Sequence, residues 1–346
     1  MILTLPGIHS KISGMSLVEL RSLEKSTPGT MQSNMKIKSL QRKKPSKFMK
    51  FVKSQYMWWL MLLPGVVLTL LFKYGSMFGI VLAFEDFSIA KGGFFGHEWV
   101  GLDNFKYVFK LNDFTRSIRN TLIISGTKIV LGIIVPLALA LSINEVGKKW
   151  FAKFAQSTFF LPFFLSWIIL GGILNQLFSY DGLINLMKQN LGMEKTLFLL
   201  DNNWFRTIII LSDVWKGMGY NMIIFLAAIV AINPSLYEAA KIDGAGRWNQ
   251  MFHVTLPGIT PVLVLTITLS LSGLLNGNFD QVYLLYNPMV YEGGDIIDTF
   301  IYRLGFEGQQ QIDVAAAVGL MKSLVSVVLV GGTYFVAYKK FNYRIF

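Results

Sequence analysis

Polar side chains that hydrocarbon does not accommodate interrupt the long apolar runs of this sequence. They are Lys128; Asp213, Lys216, Tyr220 and Asn221; Asn276, Asn278, Asp280 and Gln281; and Lys322, Ser323 and Ser326. A charge at mid-bilayer costs roughly 2.5–3.5 kcal/mol on insertion scales, so each one demands a partner or a wet cavity. Two arrangements meet that demand. In the first, Trp215, Asn221, Asn276, Asn278 and Lys322 line a hydrophilic passage; two asparagines flanking Gly277 are a dense local polarity that favours it. In the second, the groups are glue between helices. Asp213 and Lys216, three apart, face each other on one helix, and Asp280 meets Lys322. For the charges, both arrangements stand. Catalysis has no comparable cluster. His9, His97 and His253 fall in different segments, and no H-E-x-x-H or paired-Asp motif is present. The chain has no cysteine, which excludes disulfides, thiolate metal sites and a cysteine nucleophile.

A second unit lies between two apolar runs, over Asn233 to Pro257, NPSLYEAAKIDGAGRWNQMFHVTLP. Asn233-Pro234 or Ser235 opens a helix, and Ser235-Leu236-Tyr237-Glu238 has the S-x-x-E spacing of a capping box. Asp243-Gly244 stops it, because glycine tolerates the positive φ that ends a helix. A second short run places Trp248, Met251, Phe252 and Thr255 on one face, and Leu256-Pro257 closes it. An exposed pair of short helices at a membrane face is a docking device.

The elements that must position these groups are membrane spans. The chain is 53% hydrophobic and 15% charged, where soluble domains carry about a quarter charged residues. A spanning helix needs about 20 mostly apolar residues. Six stretches qualify: 57–84, 118–143, 154–178, 206–232, 258–284 and 314–338. Pro136 and Pro162 fall inside the second and third, Pro257 and Pro261 start the fifth, and Gly171-Gly172 and Gly331-Gly332 allow close helix approach. Lys and Arg set the orientation. Lys36, Lys38, Arg42, Lys43, Lys44, Lys47, Lys50 and Lys53 precede the first span; Lys148, Lys149 and Lys153, then Lys241 and Arg247, then Lys339, Lys340 and Arg344 fall on the same side. The opposite loops spread fewer cations over more residues, and 286–313 is acidic. The docking loop and both termini are therefore expected in the cytoplasm, in a multi-pass protein of the cell membrane. The division is a basic cytoplasmic tail, 1–53, and a transmembrane domain, 54–346. The net charge of +12 follows from this topology and from contact with anionic lipid, not from nucleic acid. Residues 1–35 hold no apolar run of signal-peptide type. The spacing over Ser16 to Lys25 is compatible with one amphipathic helix, and a late translation start or a disordered tail is expected for residues 1–35.

Glu238-Ala239-Ala240, Gly244 three residues on, and Val254-Thr255-Leu256-Pro257 after nine more resemble the EAA signature of ABC importer permeases, with Val254 in place of Ile. Asp243-Gly244-Ala245 resembles the DGA of the sugar-importer branch. Phe72-Lys73-Tyr74, Met77, Gly79, Ala83-Phe84 and Asp86-Phe87 resemble the first span of oligosaccharide permeases, with Ser76 where that branch has proline. The resemblance implies an all-α membrane protein of the type I importer permease kind, with about six transmembrane helices. It implies that the loop seats in a cleft of a cytoplasmic ATPase. There Glu238 offers a carboxylate, Ala239 and Ala240 allow close approach, Asp243-Gly244 sets the turn, and Trp248, Met251, Phe252, Leu256 and Pro257 form the second arm. Its partners are a second homologous permease, two ATPases, an extracytoplasmic binding protein and a sugar cargo. Sugars suit the polar wall described above, since aromatic faces stack on their C–H surfaces and amides pair with hydroxyls. No cofactor is expected; ATP belongs to the partner subunits, because this chain has no G-x-x-x-x-G-K-[ST] loop. The competing readings are an importer of amino acid, phosphate or peptide, a membrane-embedded transferase, and a secondary carrier that leaves Glu238 to Pro257 unexplained.

Overall fold

A computed structural model describes residues 55–88, 92–93, 96–307 and 310–341. The basic tail, with the helix expected over Ser16 to Lys25, and the terminal Arg344 to Phe346 lie outside the described residues. The chain divides into two compact units, Met1–Met77 and Phe78–Phe346. In the first, α1 (Tyr56–Thr69) runs on through a π turn, Leu70–Tyr74. Every residue from Gln55 to Met77 is exposed, and most are apolar. Helix is the form such a run takes, because in lipid each backbone N–H and C=O must be satisfied within the segment.

The second unit begins in a 3₁₀ stretch that ends at Phe84. The only β-bridge among the described residues joins Glu85 to Trp99. Asn104, on α2 (Asp103–Lys110), donates to the carbonyls of Ala83 (3.2 Å) and Glu85 (3.0 Å) and pins that corner. α3 (Asn112–Asn144) is a continuous span despite Pro136. α4 (Lys149–Phe160) and α5 (Trp167–Phe178) then replace the single third span expected over 154–178. They meet at 100°. Pro162 has no N–H to continue the ladder, and Ser166 starts a new helix by accepting from the Ile169 N–H at 3.3 Å. α6 (Leu183–Asn190) comes next, as the sequence suggests for Asp181 to Leu191. α7 (Asn202–Val230) is opened by Asp201, whose carboxylate accepts from the N–H groups of Asn203 and Trp204.

The loop helices are α8 (Pro234–Ile242) and α9 (Arg247–Gln250). A π turn over Met251–Thr255 leads from α9 straight into α10 (Leu256–Ser272). Three features here depart from expectation. Asn233 opens α8, one of the two starts the sequence offers, accepting from the Ser235 N–H at 3.0 Å with Pro234 at the first turn, but the Ser235–Glu238 box is not its cap. Leu256-Pro257 does not close the second run, because the π turn widens the helix where Pro257 has no N–H to give. The fifth span ends at Ser272, not near 284. Beyond it, α11 (Phe279–Leu285), α12 (Tyr291–Gly294) and α13 (Ile297–Phe306) are short, and α14 (Ile312–Phe341) is the last span. Five helical segments are long and apolar enough to cross a membrane, and the bent α4–α5 pair makes six.

α7 occupies the centre. Its Phe205, Ile208 and Ile209 pack with Leu170, Val282 and Ile296 in one cluster, and its Met222, Phe225 and Ile229 pack with Ala140, Ile143 and Ile259 in another. A Cβ on Gly219 would lie 2.1 Å from the Phe159 carbonyl oxygen, so α4 and α7 touch backbone to backbone there. Gly331 and Gly332, expected to allow such an approach, face open space; Gly171 meets Leu284 at ordinary contact distance.

Candidate functional site

Two places gather the polar residues. The first is a cavity of about 310 Å³ between α3, α7 and the end of α10. α3 supplies Ser125, Lys128, Ile129 and Gly132; α7 supplies Asp213, Val214, Gly217 and Asn221; Ser270, Gly273, Asn276 and Asn278 complete the wall. Each helix contributes at three- and four-residue steps, the spacing of one face. The chain leaves α10 at Gly273 and does not regain helix until Phe279, so irregular backbone lies against Lys128, in the middle of the α3 span. Such backbone is tolerated where protein or a wet cavity satisfies it. Lys128, 8% exposed, donates to the carbonyl of Gly277 (3.3 Å) and to Gln281 Oε1. Gln281 is fully buried and donates onward to Ile209 O (2.7 Å) and Ser212 Oγ (2.8 Å). Asn278 holds φ +65° and turns its amide to Asp213 Oδ1 at 3.0 Å instead of capping α11. Asp213 stands 3.7 Å from the Lys128 ammonium. Asn221 donates to Gly132 O at 3.3 Å.

Asp213 and Lys216 do not pair. Each serves a different broken span. While Asp213 holds the Asn278 side of the α10–α11 break, Lys216 donates to the Phe163 carbonyl (2.9 Å), beside the α4–α5 bend. Its ammonium also lies over the rings of Phe163 and Trp167, 5.5 and 5.6 Å from their centroids. A cation at freed carbonyls of a helix end is favoured by the helix dipole.

The second place is the loop. Gly244 has φ +77°, and the N–H groups of Gly244 and Ala245 return to Lys241 O (3.1 Å) and Ala240 O (2.8 Å), the paired bonds of a Schellman stop. Gln250 donates to Ala245 O, and Tyr237 shares a hydrogen bond with Thr255 at 2.9 Å, so the arms are braced against each other. Trp248 (73% exposed) and Phe252 (55%) stack on the open side. Met251 is half-buried and Thr255 buried. The four residues expected on one face are thus split, because a π turn adds a residue and rotates the positions beyond it. Glu238, Ala239, Asp243, Gly244 and Pro257 are exposed, and Ala240 and Leu256 half-buried. Arg247, its side chain 82% exposed, lies 3.5 Å from Glu145 at the end of α3. His253 caps Asn249 O.

The sequence pattern of the family described as "Binding-protein-dependent transport system inner membrane component" matches residues 128–339. The chain belongs to this family. As one of these permeases it is 42% identical to the polygalacturonan/rhamnogalacturonan transport system permease protein YteP of Bacillus subtilis (strain 168), across 81% of this chain and 87% of the relative. It is 40% identical to protein LplB of the same organism, across 82% and 89%. Among solved structures, a chain of a bacterial ABC transporter involved in the import of the acidic polysaccharide alginate superposes with a TM-score of 0.77 at 36% identity, covering 85% of this chain and 99% of that one. A bacterial alginate ABC transporter was also solved in complex with an alginate pentasaccharide-bound periplasmic protein, and its matching chain superposes with a TM-score of 0.74 at 37% identity, covering 83% of this chain and 96% of that one. The permease is therefore an all-α, multi-pass membrane protein of the type I importer kind.

Of the residues singled out for a passage, Asn221, Asn276 and Asn278 meet at the permease cavity. Trp215 and Lys322 do not reach its wall. Trp215 is 43% exposed, and Lys322 forms an ion pair with Asp298 on α13, not with Asp280. Lys322 thus belongs to the end of the bundle opposite the loop. There the buried Asp295 accepts from Arg303 (2.7 Å) and Thr299 (2.8 Å). Burial opposes the Arg303 charge, but the Asp295 carboxylate outweighs it and raises the guanidinium pKa. The polar side chains of the cavity wall not singled out for the passage are those of Ser125, Lys128, Asp213 and Ser270. The repeat of Ser125, Lys128 and Gly132 along α3 was the available signal.

Proposed function

We propose that this chain is one permease half of an ATP-driven importer for an oligosaccharide, and that the loop over 233–257 is its coupling lever. The observation that carries this is the continuous helical rod from Arg247 to Ser272. One end of the rod bears the exposed Trp248–Phe252 stack, and the other ends at the break that walls the polar cavity. A push on the loop therefore reaches the cavity without crossing a flexible joint. Glu238 offers a carboxylate to a basic group of a cytoplasmic ATPase. Trp248 and Phe252 offer apolar area worth about 1.5–3 kcal/mol each when fully buried. Asn221, Asn276 and Asn278 offer amides that match sugar hydroxyls in both directions.

In this reading the transmembrane domain, 54–346, pairs with a second permease, two ATPases sit beneath, and a binding protein delivers cargo from outside. The chain catalyses no reaction itself; ATP is bound and hydrolysed by the partners. Relatives named for polygalacturonan, rhamnogalacturonan and alginate transport support a polysaccharide-derived cargo. The test is purification of the intact complex, identification of its subunits, and measurement of ATPase stimulation by loaded receptor across a glycan panel. Stimulation by an oligosaccharide is the expected result. Stimulation only by amino acids, phosphate or peptides would move the cargo, and absence of any ATPase subunit would end the coupling assignment.

A further inference from the structure

An ammonium has three protons to give. At Lys128, two go to Gly277 O and Gln281 Oε1. The third has only Asp213 Oδ1, at 3.7 Å, beyond hydrogen-bond reach. Lys128 cannot withdraw from the wall, because Gln281 is itself fixed to Ile209 O and Ser212 Oγ. Asp213 is as incompletely used. Asn278 donates to its Oδ1, its side chain is 29% exposed on the cavity, and its other oxygen has no partner among the described residues. The two charges are matched, close and loosely joined, with room for a solute beside them. A structural ion pair at membrane depth gains most by closing to hydrogen-bond distance; this one stays open.

We infer that Lys128 reads a carboxylate on the cargo, so the passage takes an acidic, uronate-bearing oligosaccharide, and that Asp213 is the internal anion the cargo displaces. The inference rests on the oligosaccharide reading above. The two residues do opposite things. Lys128 supplies the cation that fits a carboxylate at hydrogen-bond distance. Asp213 keeps that cation occupied when the site is empty, and its charge repels the bound carboxylate. A passage needs binding favourable enough to admit a solute and weak enough to release it. A fixed competing anion provides the second half. Asn276, and the side-chain carbonyl of Asn221, whose amide donates to Gly132 O, are left for hydroxyls.

The experiment uses the intact importer in lipid nanodiscs, free of receptor, with digalacturonate and uncharged digalactose as probes in equilibrium dialysis. Digalacturonate is expected to bind about tenfold more tightly, the difference a charge-assisted hydrogen bond supplies. Lys128→Gln should bring the ratio to one or below. Asp213→Asn should raise the acid-over-neutral ratio several-fold and slow release of digalacturonate. A purely structural ion pair would have both variants weaken the two sugars together. Should Lys128→Gln fail to assemble, the isosteric Asp213→Asn decides alone: weaker digalacturonate binding in that variant overturns the inference. Equal binding of the two sugars by the unmodified importer also overturns it, yet leaves an oligosaccharide passage intact. Binding of neither overturns the carboxylate site, while the glycan panel with loaded receptor decides the oligosaccharide assignment separately.

Discussion

In the 233–257 loop the functional side chains face outward: Trp248, Phe252 and Glu238 are exposed, and the bonds that shape the loop join residues of the loop itself. Around the cavity the reverse holds. Lys128 and Gln281 are buried, and every bond that shapes the wall joins separate segments, α3 to Gly277 and Gln281, α7 to Asn278. The loop is a locally stable shape waiting for a partner. The cavity is a shape that exists only once three spans have assembled. Damage should therefore separate: changes at the cavity cost assembly as well as transport, and changes at the loop face cost transport alone.

The largest effect is expected at Gln281→Leu. The leucine fills the space but leaves Lys128 with Gly277 O as its one hydrogen-bond partner and removes the bonds to Ile209 O and Ser212. Removing one partner from a buried charge costs about 3–5 kcal/mol, so the complex should assemble poorly and melt early in a thermal-shift assay. A melting temperature equal to the unmodified complex would show that the cavity wall does not depend on this network. Next comes Glu238→Lys. Reversal of a contact charge should cut uptake by roughly an order of magnitude or more while ATP hydrolysis continues and the melting temperature holds. Normal uptake would argue strongly against the lever. The third is Asn276→Ala with Asn278→Gly, the glycine preserving φ +65°. Loss of one amide contact to cargo is worth about 1 kcal/mol, read as several-fold weaker cargo affinity that exceeds the loss of assembly from the missing Asn278–Asp213 bond; a fall in yield without a change in affinity would make these residues glue.

This contrast also explains which parts were legible in the sequence. Helix caps are written in neighbours, so Asn233-Pro234 and Asp243-Gly244 announced α8. Apolar runs announced the spans. The π turn over Met251–Thr255 carries no glycine or proline of its own, and its effect on the Trp248 face was invisible. Asp213 illustrates the harder case. Spacing along one helix points to Lys216, three residues away. Its real neighbours, Lys128 and Asn278, come from other spans, and Lys216 turns to the Phe163 carbonyl freed by the bend after Pro162. A sequence can show that a buried charge needs a partner; which partner it finds depends on which helices break and where.

The smallest effect is expected where the two regions are linked by charge. Arg247 of the loop and Glu145 at the end of α3 lie 3.5 Å apart, with side chains 82% and 55% exposed. Exposed pairs of this kind are screened by salt and contribute little to stability. Arg247→Ala should leave the melting temperature unmoved. It can still matter to coupling, because α3 carries Lys128 and the loop carries the docking face. If the pair keeps loop and α3 in step, Arg247→Ala and Glu145→Ala should each lower uptake per ATP slightly at low salt. The double variant should then lose no more than either single one, and the effect should vanish as ionic strength rises. Additive losses that persist in high salt would mean the two side chains touch the ATPase independently, and the rod from Arg247 to Ser272 would be the sole connection between lever and cavity.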